Sequence, residues 1–170
     1  GSQRGYVVML AHKNILEQRT EQHTFAVDWS SSKIHRVVRS TLAAEAASAS
    51  HAHDRGTYVR VLLAEMFQGR RHSTSWEIQQ TVVPYALITD CRSLTEHCQK
   101  TGASLTEKRV GLDIADVRAA DRGDKLAWIP TEHMLADGLT KHLTHQEPLR
   151  EVTEENLFRA LYSRTDSYKF

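Results

Sequence analysis

The sequence predicts an α/β layer structure. Three observations predict it. Short strand-like runs alternate with helical stretches along the chain, the pattern of a layered α/β fold. An alanine-dense stretch beginning at Ser40 has small residues at Ala49, Ala52 and Gly56, which let a long helix lie close against a sheet. The apolar run Tyr85 to Ile88 ends at an acid, Asp90, at the carboxyl end of a strand, where α/β folds collect their sites.

The elements are taken in chain order. Tyr6 to Ala11 is a short apolar run after Gly5 and reads as a strand. Thr24 to Trp29 alternates Phe25, Val27 and Trp29 with smaller or polar neighbours, the period of a half-buried strand antiparallel to the first. A polar turn is expected at Ser30 to Ser32. From Ser40 the pattern is helical, with Val59, Leu62, Leu63, Met66 and Phe67 on one apolar face and Gly69 after its end. Gln68 to Ser75 reads as a loop. Val82 to Thr89 reads as a strand, with Pro84 near its start. Ser93 with Glu96, and Ser104 with Glu107, form capping-box pairs for two helices, the second with Val110, Ile114 and Val117 inward. Lys125 to Ile129 is the last strand, ending at Pro130, and Thr131 can cap the helix after it. A closing helix is expected from about Thr153 to Tyr162, with Leu157, Phe158 and Leu161 inward. Residues 1–145 are assigned to the main domain and 146–170 to a helical extension packed on it.

Composition excludes several classes. The 170 residues are 40% hydrophobic and 25% charged, ordinary for one globular domain. No apolar run is long enough to span a bilayer, and no apolar segment comes after a basic start, so neither a membrane span nor a signal peptide is expected. Cys91 and Cys98 are seven residues apart, an awkward spacing for a disulfide within one helix, and suggest a reduced, intracellular setting. The net charge of +1 announces no nucleic-acid partner, although Arg36, Arg39, Arg70 and Arg71 could make a groove locally basic. Ten histidines invite a zinc reading, but His51 with His53, and His142 with His145, lack the Cys or acid pattern that would complete a tetrahedral set. No G-x-S-x-G motif occurs, and neither Cys has a recognisable catalytic setting. Trp29, Trp76 and Trp128 read as core, and Asp113, Asp116, Asp121 and Asp124 as a solvated acidic face.

Three acids stand out of pattern. Glu45 interrupts the close-packing start of the alanine-rich helix, Asp90 comes directly after an apolar strand, and Asp137 lies inside the apolar segment Leu135 to Leu139. Acids converging from separate elements suit hard divalent cations that position both oxygens of an in-line phosphoryl displacement. Each also has a plainer role, as a charge favoured at a helix N-terminus or as a turn cap.

Five ordered segments resemble the ribonuclease H domain of copia-type LTR retrotransposon polyproteins. They are Gly5-Tyr6-Val7-Val8, Val27 to Lys33, Ser40 to Ala46, Thr89-Asp90, and Thr131 to Lys141. The last is the most specific, and together they cover roughly residues 1 to 145. The resemblance implies a ribonuclease H-like fold with a mixed five-stranded sheet and flanking helices, and hydrolysis of RNA in an RNA–DNA hybrid with two Mg²⁺ ions, or Mn²⁺ in their place. Glu45, Asp90 and Asp137 fall on three catalytic, metal-binding acids of that family, and His133 on a mobile histidine near the leaving group. Lys141 is left to a phosphate contact or a helix C-terminus. The implied partners are the hybrid, read through its A-form shape and 2′-hydroxyls, and the reverse transcriptase domain of the same polyprotein. No membrane is implied, and the setting is a cytoplasmic virus-like particle or the nucleus.

Two departures accompany the resemblance. The family's first strand, central in its sheet and bearing a fourth acid, has no counterpart here, so that strand is expected to be missing. A histidine-bearing helix start is replaced by Glu107 to Gly111. Weak or absent activity is therefore expected of this chain by itself. The alternatives are a non-catalytic module that binds nucleic acid or braces a polymerase domain, and a DNA nuclease or integrase-like member of the same superfold.

Overall fold

The computed structural model describes residues 2–15, 22–68, 83–100, 107–121, 125–141 and 146–158. Strand β1 (Gln3–Ala11) pairs antiparallel with β2 (Gln22–Lys33), in a register running from Gln3↔Lys33 to Ala11↔Thr24 with an irregularity between Val8 and Met9. Helix α1 (Thr41–Gln68) comes next, then β3 (Ala86–Thr89), α2 (Arg92–Gln99), α3 (Lys108–Asp121) and β4 (Lys125–Trp128). A 3₁₀ turn (Thr131–His133), the short helix α4 (Asp137–Thr140), α5 (Glu147–Glu155) and β5 (Leu157–Phe158) complete the described chain. Mixed α/β architecture is thus as expected, but the sheet is in two pieces. One has the order β1-β2-β5, and the other is the parallel pair β3-β4.

Two apolar cores hold the pieces in layers. In the first, Ala43, Ala46 and Ala49 of α1 pack with Leu87 of β3, Leu94 and Cys98 of α2, and Val110, Ile114 and Val117 of α3. Alanine keeps the helix close to the strand, so the larger side chains of α2 and α3 fill the space around it. The second lies on the opposite face of β3, where Ala127, Ile129, Leu135, Val152 and Phe158 are joined by Val7, Met9, Ala86 and Ile88. Successive strand residues point to opposite faces, which is why Leu87 enters one core while Ala86 and Ile88 enter the other.

Several local expectations change. Phe25, Val27 and Trp29 are exposed, at 55%, 42% and 60%, and Thr24 is the buried residue of that strand. The alternation was legible, but the face it buries was not, because so little described structure covers the outer side of β2. Ser30 to Ser32 continue the strand by pairing with Tyr6, Gly5 and Arg4, so no turn forms there. On α1, Leu62, Met66 and Phe67 are exposed while Ala64 is buried, so the large residues do not make the packing face. Strand β3 begins at Ala86, beyond Pro84, which has no N–H for a ladder. Cys91 rather than Ser93 precedes α2, without a side-chain cap bond, and Glu96 instead pairs with Arg92 and Lys100. The last helix among the described residues is α5, ending where Asn156 turns left-handed at φ 55°. Phe158 is then a strand residue, and Leu161 lies outside the described residues. Arg70, Arg71, Trp76, Ser104, Asp124, His142 and His145 also lie outside them. Among the described residues no helix is long and apolar enough to cross a membrane.

Candidate acidic site

A cavity of about 870 Å³ separates the two sheet pieces. Residues of both parities from β1 (Gly5 to Met9) and from β3 (Ala86 to Thr89) line it, as a strand edge does and a strand face does not. Each strand is paired on its other side, β1 with β2 and β3 with β4. Helix α1 roofs the cavity with Glu45, Ser48, Ala49, Ala52, Gly56 and Arg60. Gly56 allows this close approach: a Cβ there would lie 2.4 Å from Cε2 and 2.7 Å from the hydroxyl of Tyr85.

Glu45, Asp90 and Asp137 all line this cavity, each from a different element. Ser40 starts α1 by accepting the Ala43 N–H on its Oγ at 3.1 Å, which sets Glu45 in the second turn. Asp90 comes just after β3, where Trp128 Nε1 donates to its carbonyl at 2.9 Å and Thr89 Oγ1 accepts the Cys91 N–H at 3.1 Å. The parallel β3-β4 pair therefore fixes the backbone that carries the acid. Asp137 opens α4 and is buried, 8% exposed, directly after the buried Leu135 and Ala136. Gly5 of β1 sits against this helix, since a Cβ would lie 2.7 Å from Thr140 Cγ2 and 3.1 Å from the Ala136 carbonyl. The start of β1 and the end of β3 thus meet at the acidic end of the cavity, and the two strands run in opposite directions.

Electrostatics report the same convergence. Burial, and after it the negative charges of Asp90 and Asp137, pushes the Glu45 carboxyl above the usual carboxylate range, and Lys141 opposes that rise. Lys141 donates its ammonium to Asp137 Oδ2 at 2.6 Å, while its own N–H reaches the Asp137 carbonyl at 2.8 Å. That hydrogen bond, with the charges of Asp137, Asp90 and Glu45, raises the Lys141 pKa against partial burial. Among the described residues, then, Lys141 is bonded to Asp137 and feels the charges of Asp90 and Glu45. Its spacing from Asp137, one helical turn, was visible in the sequence, but the contact was not.

The remaining candidates lie elsewhere. His133 is on the 3₁₀ turn, is half-buried, and is not among the cavity-lining residues. Arg36 pairs with Asp113 of α3, which is therefore a fold contact, and Asp116 accepts a hydrogen bond from Ser50 at 2.7 Å. Asp28 accepts hydrogen bonds from the Tyr6 hydroxyl at 3.1 Å and from Arg55 at 2.9 Å, tying β2 through β1 to α1. Trp29 is exposed and Trp128 only half-buried.

The carboxylates are the donor type that a hard divalent cation takes. Their spacing is another matter: among the described residues no three His, Cys, Asp or Glu side chains stand close enough to hold one ion together. Donor chemistry fits and spacing does not. No family model, curated protein or solved structure matches the chain.

Proposed function

We propose that the chain is a ribonuclease H-like nuclease domain of a copia-type retrotransposon polyprotein, hydrolysing the RNA strand of RNA–DNA hybrids during reverse transcription and weak or inactive by itself. The observation that carries this reading is the meeting of Glu45, Asp90 and Asp137 at one end of one cavity, from three separate elements. Acids from α1, from the end of β3 and from the start of α4 have no structural need to share a desolvated space. Burial first, and then the charges of Asp90 and Asp137, raises the Glu45 pKa, as happens to carboxylates gathered in a catalytic site.

The cavity itself supports the reading. Two strand edges of opposite direction border it, and neighbouring strands in a sheet lie about 4.8 Å apart. A further strand antiparallel to β1 and parallel to β3 would pair with both and join the two pieces into one sheet of six strands, the two-residue β5 included. Such a strand would end at the acids, where a fourth carboxylate belongs by the resemblance. The chain's own residues then have these parts: Glu45, Asp90 and Asp137 supply oxygen donors, α1 keeps bulk water from one side of them, and Lys141 balances their charge. Bound Mg²⁺ or Mn²⁺ would supply Lewis-acid stabilisation of the phosphoryl oxygens. A place for His133 near the leaving group rests on the resemblance alone.

The second reading is a non-catalytic module that binds nucleic acid or braces the reverse transcriptase domain. It is favoured by one observation, that Asp137 is already neutralised by Lys141 while, among the described residues, no three ligands are within reach of one ion. Cleavage of a labelled RNA–DNA hybrid with Mg²⁺ or Mn²⁺, by this chain and by one extended upstream by about one strand, separates the two.

A further inference from the structure

Strand β2 is paired on one edge and largely open on the other. It pairs with β1 along its length, whereas β5 meets its other edge only at Gln22 and His23, where Thr24 also donates its N–H to the Asn156 carbonyl at 2.8 Å. Among the described residues, Phe25 to Lys33 therefore run on as an open edge. The same segment presents an apolar face. Phe25, Val27 and Trp29 point outward and are exposed, alternating with the less exposed Ala26, Asp28 and Ser30. Natural sheets blunt such edges with charged residues or proline. Here the outward face has no charge before Lys33, and the carboxylate of the segment, Asp28, is turned to Tyr6 and Arg55.

We propose that this edge is a self-association surface, on which two copies of the chain pair β2 with β2 antiparallel about a two-fold axis through Trp29. Trp29 is the midpoint of the open segment, so this register uses the whole edge and stops where β5 begins. It sets Trp29 against its counterpart, Val27 opposite Ser31, and Phe25 opposite Lys33, whose ammonium can lie over the ring. Neighbouring registers are poorer: an axis at Asp28 faces two carboxylates, and one at Val27 drives Ser31 into the place of β5. The irregularity of β2 at Val27, opposite Val8 and Met9, lies off the axis, so the ladder runs through Asp28, Trp29 and Ser30. Charges complement one another at the ends. Glu155, exposed at the end of α5, adjoins the Asn156 carbonyl that holds Thr24, so Lys33 of the second copy arrives beside it. At 55% and 60% exposed, Phe25 and Trp29 leave roughly 350–600 Å² to be covered over two copies, before Val27 and the ladder are added. That is the low end of specific interfaces and gives a reversible dimer of micromolar affinity. The cavity lies on the far side of β1 and stays open, and the inference is independent of the nuclease reading.

Sedimentation velocity of the wild-type chain across the micromolar range tests it, with the expected result a monomer–dimer equilibrium. Trp29→Lys, which sets two ammonium groups face to face at the axis, should be monomeric throughout with an unchanged melting temperature. Lys33→Glu should weaken the dimer about fivefold by repulsion from Glu155, and adding Glu155→Lys should restore it. Trp29→Cys should oxidise to a disulfide-linked dimer, because Cα atoms directly opposite in an antiparallel pair are about 4.5–5.5 Å apart, whereas Ser31→Cys, off the axis, should not. A dimer that survives Trp29→Lys, or that the charge exchange fails to restore, places the contact elsewhere and overturns the proposal. A wild-type chain that stays monomeric overturns it too; if that monomer binds fluorescent oligothymidylate and Trp29→Lys does not, the face belongs to single-stranded nucleic acid.

Discussion

Gly56 is where α1 packs tightly on Tyr85, just before β3, and replacing it with alanine separates two opposing effects. In an exposed helix, glycine to alanine stabilises by about 1 kcal/mol, because alanine is the better helix former. Here the new Cβ would meet Tyr85 at 2.4, 2.7 and 2.9 Å, when carbon contacts relax to about 3.5 Å. The ring must therefore retreat by about 1 Å, at the expense of its edge contact with His53 at 5.6 Å and its place beside the Arg60 guanidinium at 5.8 Å. Overpacking of this kind costs about 1–3 kcal/mol, so after the helix gain Gly56→Ala should destabilise by about 1 kcal/mol. For a domain of this size that lowers Tm by about 2–4 °C. The sign should reverse in a Tyr85→Leu background, where the ring is gone and only the helix gain remains. Urea unfolding of the four proteins of this cycle measures it. Stabilisation by Gly56→Ala in the otherwise wild-type chain would refute the close packing of α1 on Tyr85, and with it the roof of the cavity.

Two further predictions concern titration. Glu45 has its pKa raised by burial and by Asp90 and Asp137, so its contribution to stability is full below the ordinary carboxyl value of 4.5 and is lost as pH rises through the folded value. Glu45→Gln should accordingly raise Tm at neutral pH and flatten the rise in stability on acidification, as differential scanning calorimetry across pH would show; an unchanged or lower Tm at neutral pH would mean that burial and the two neighbouring acids do not disfavour the Glu45 carboxylate. His51 is lowered by burial first and by Arg4 next, where its ring meets Tyr6 edge-on at 5.4 Å. Its contribution is thus full above the ordinary value of 6.5 and is lost as pH falls through the folded one, so His51→Gln should unfold less steeply with pH than wild type between about pH 7 and 5.

How far the sequence foretold the structure depended on how local each signal was. The inward line Val110, Ile114 and Val117 was legible because helical spacing and burial coincide there, and all three are buried. The small residues Ala49 and Gly56 gave the close approach of α1 for the same reason. Phe25, Val27 and Trp29 misled because period two marks a strand without saying which face will be covered. Ser93 and Glu96 match a capping pattern, yet α2 begins at Arg92 and Glu96 turns to basic neighbours instead. In the site, each acid was conspicuous as a charge in apolar surroundings, but their meeting depends on contacts between residues far apart in the chain. The Lys141–Asp137 pair needed the geometry of α4, and the division of the sheet needed strand pairing that no local pattern encodes.

The central claim is that the cavity acids belong to a nuclease that becomes competent when a strand joins β1 to β3. It is tested most directly by Mg²⁺- or Mn²⁺-dependent cleavage of a labelled RNA–DNA hybrid, comparing this chain, a form extended upstream by about one strand, and the extended form carrying Glu45→Gln. The account predicts cutting of the RNA strand by the extended form, little or none by the chain alone, and none with Glu45→Gln. Absence of cleavage in all three, from folded proteins, would contradict it and favour a module that binds without cutting.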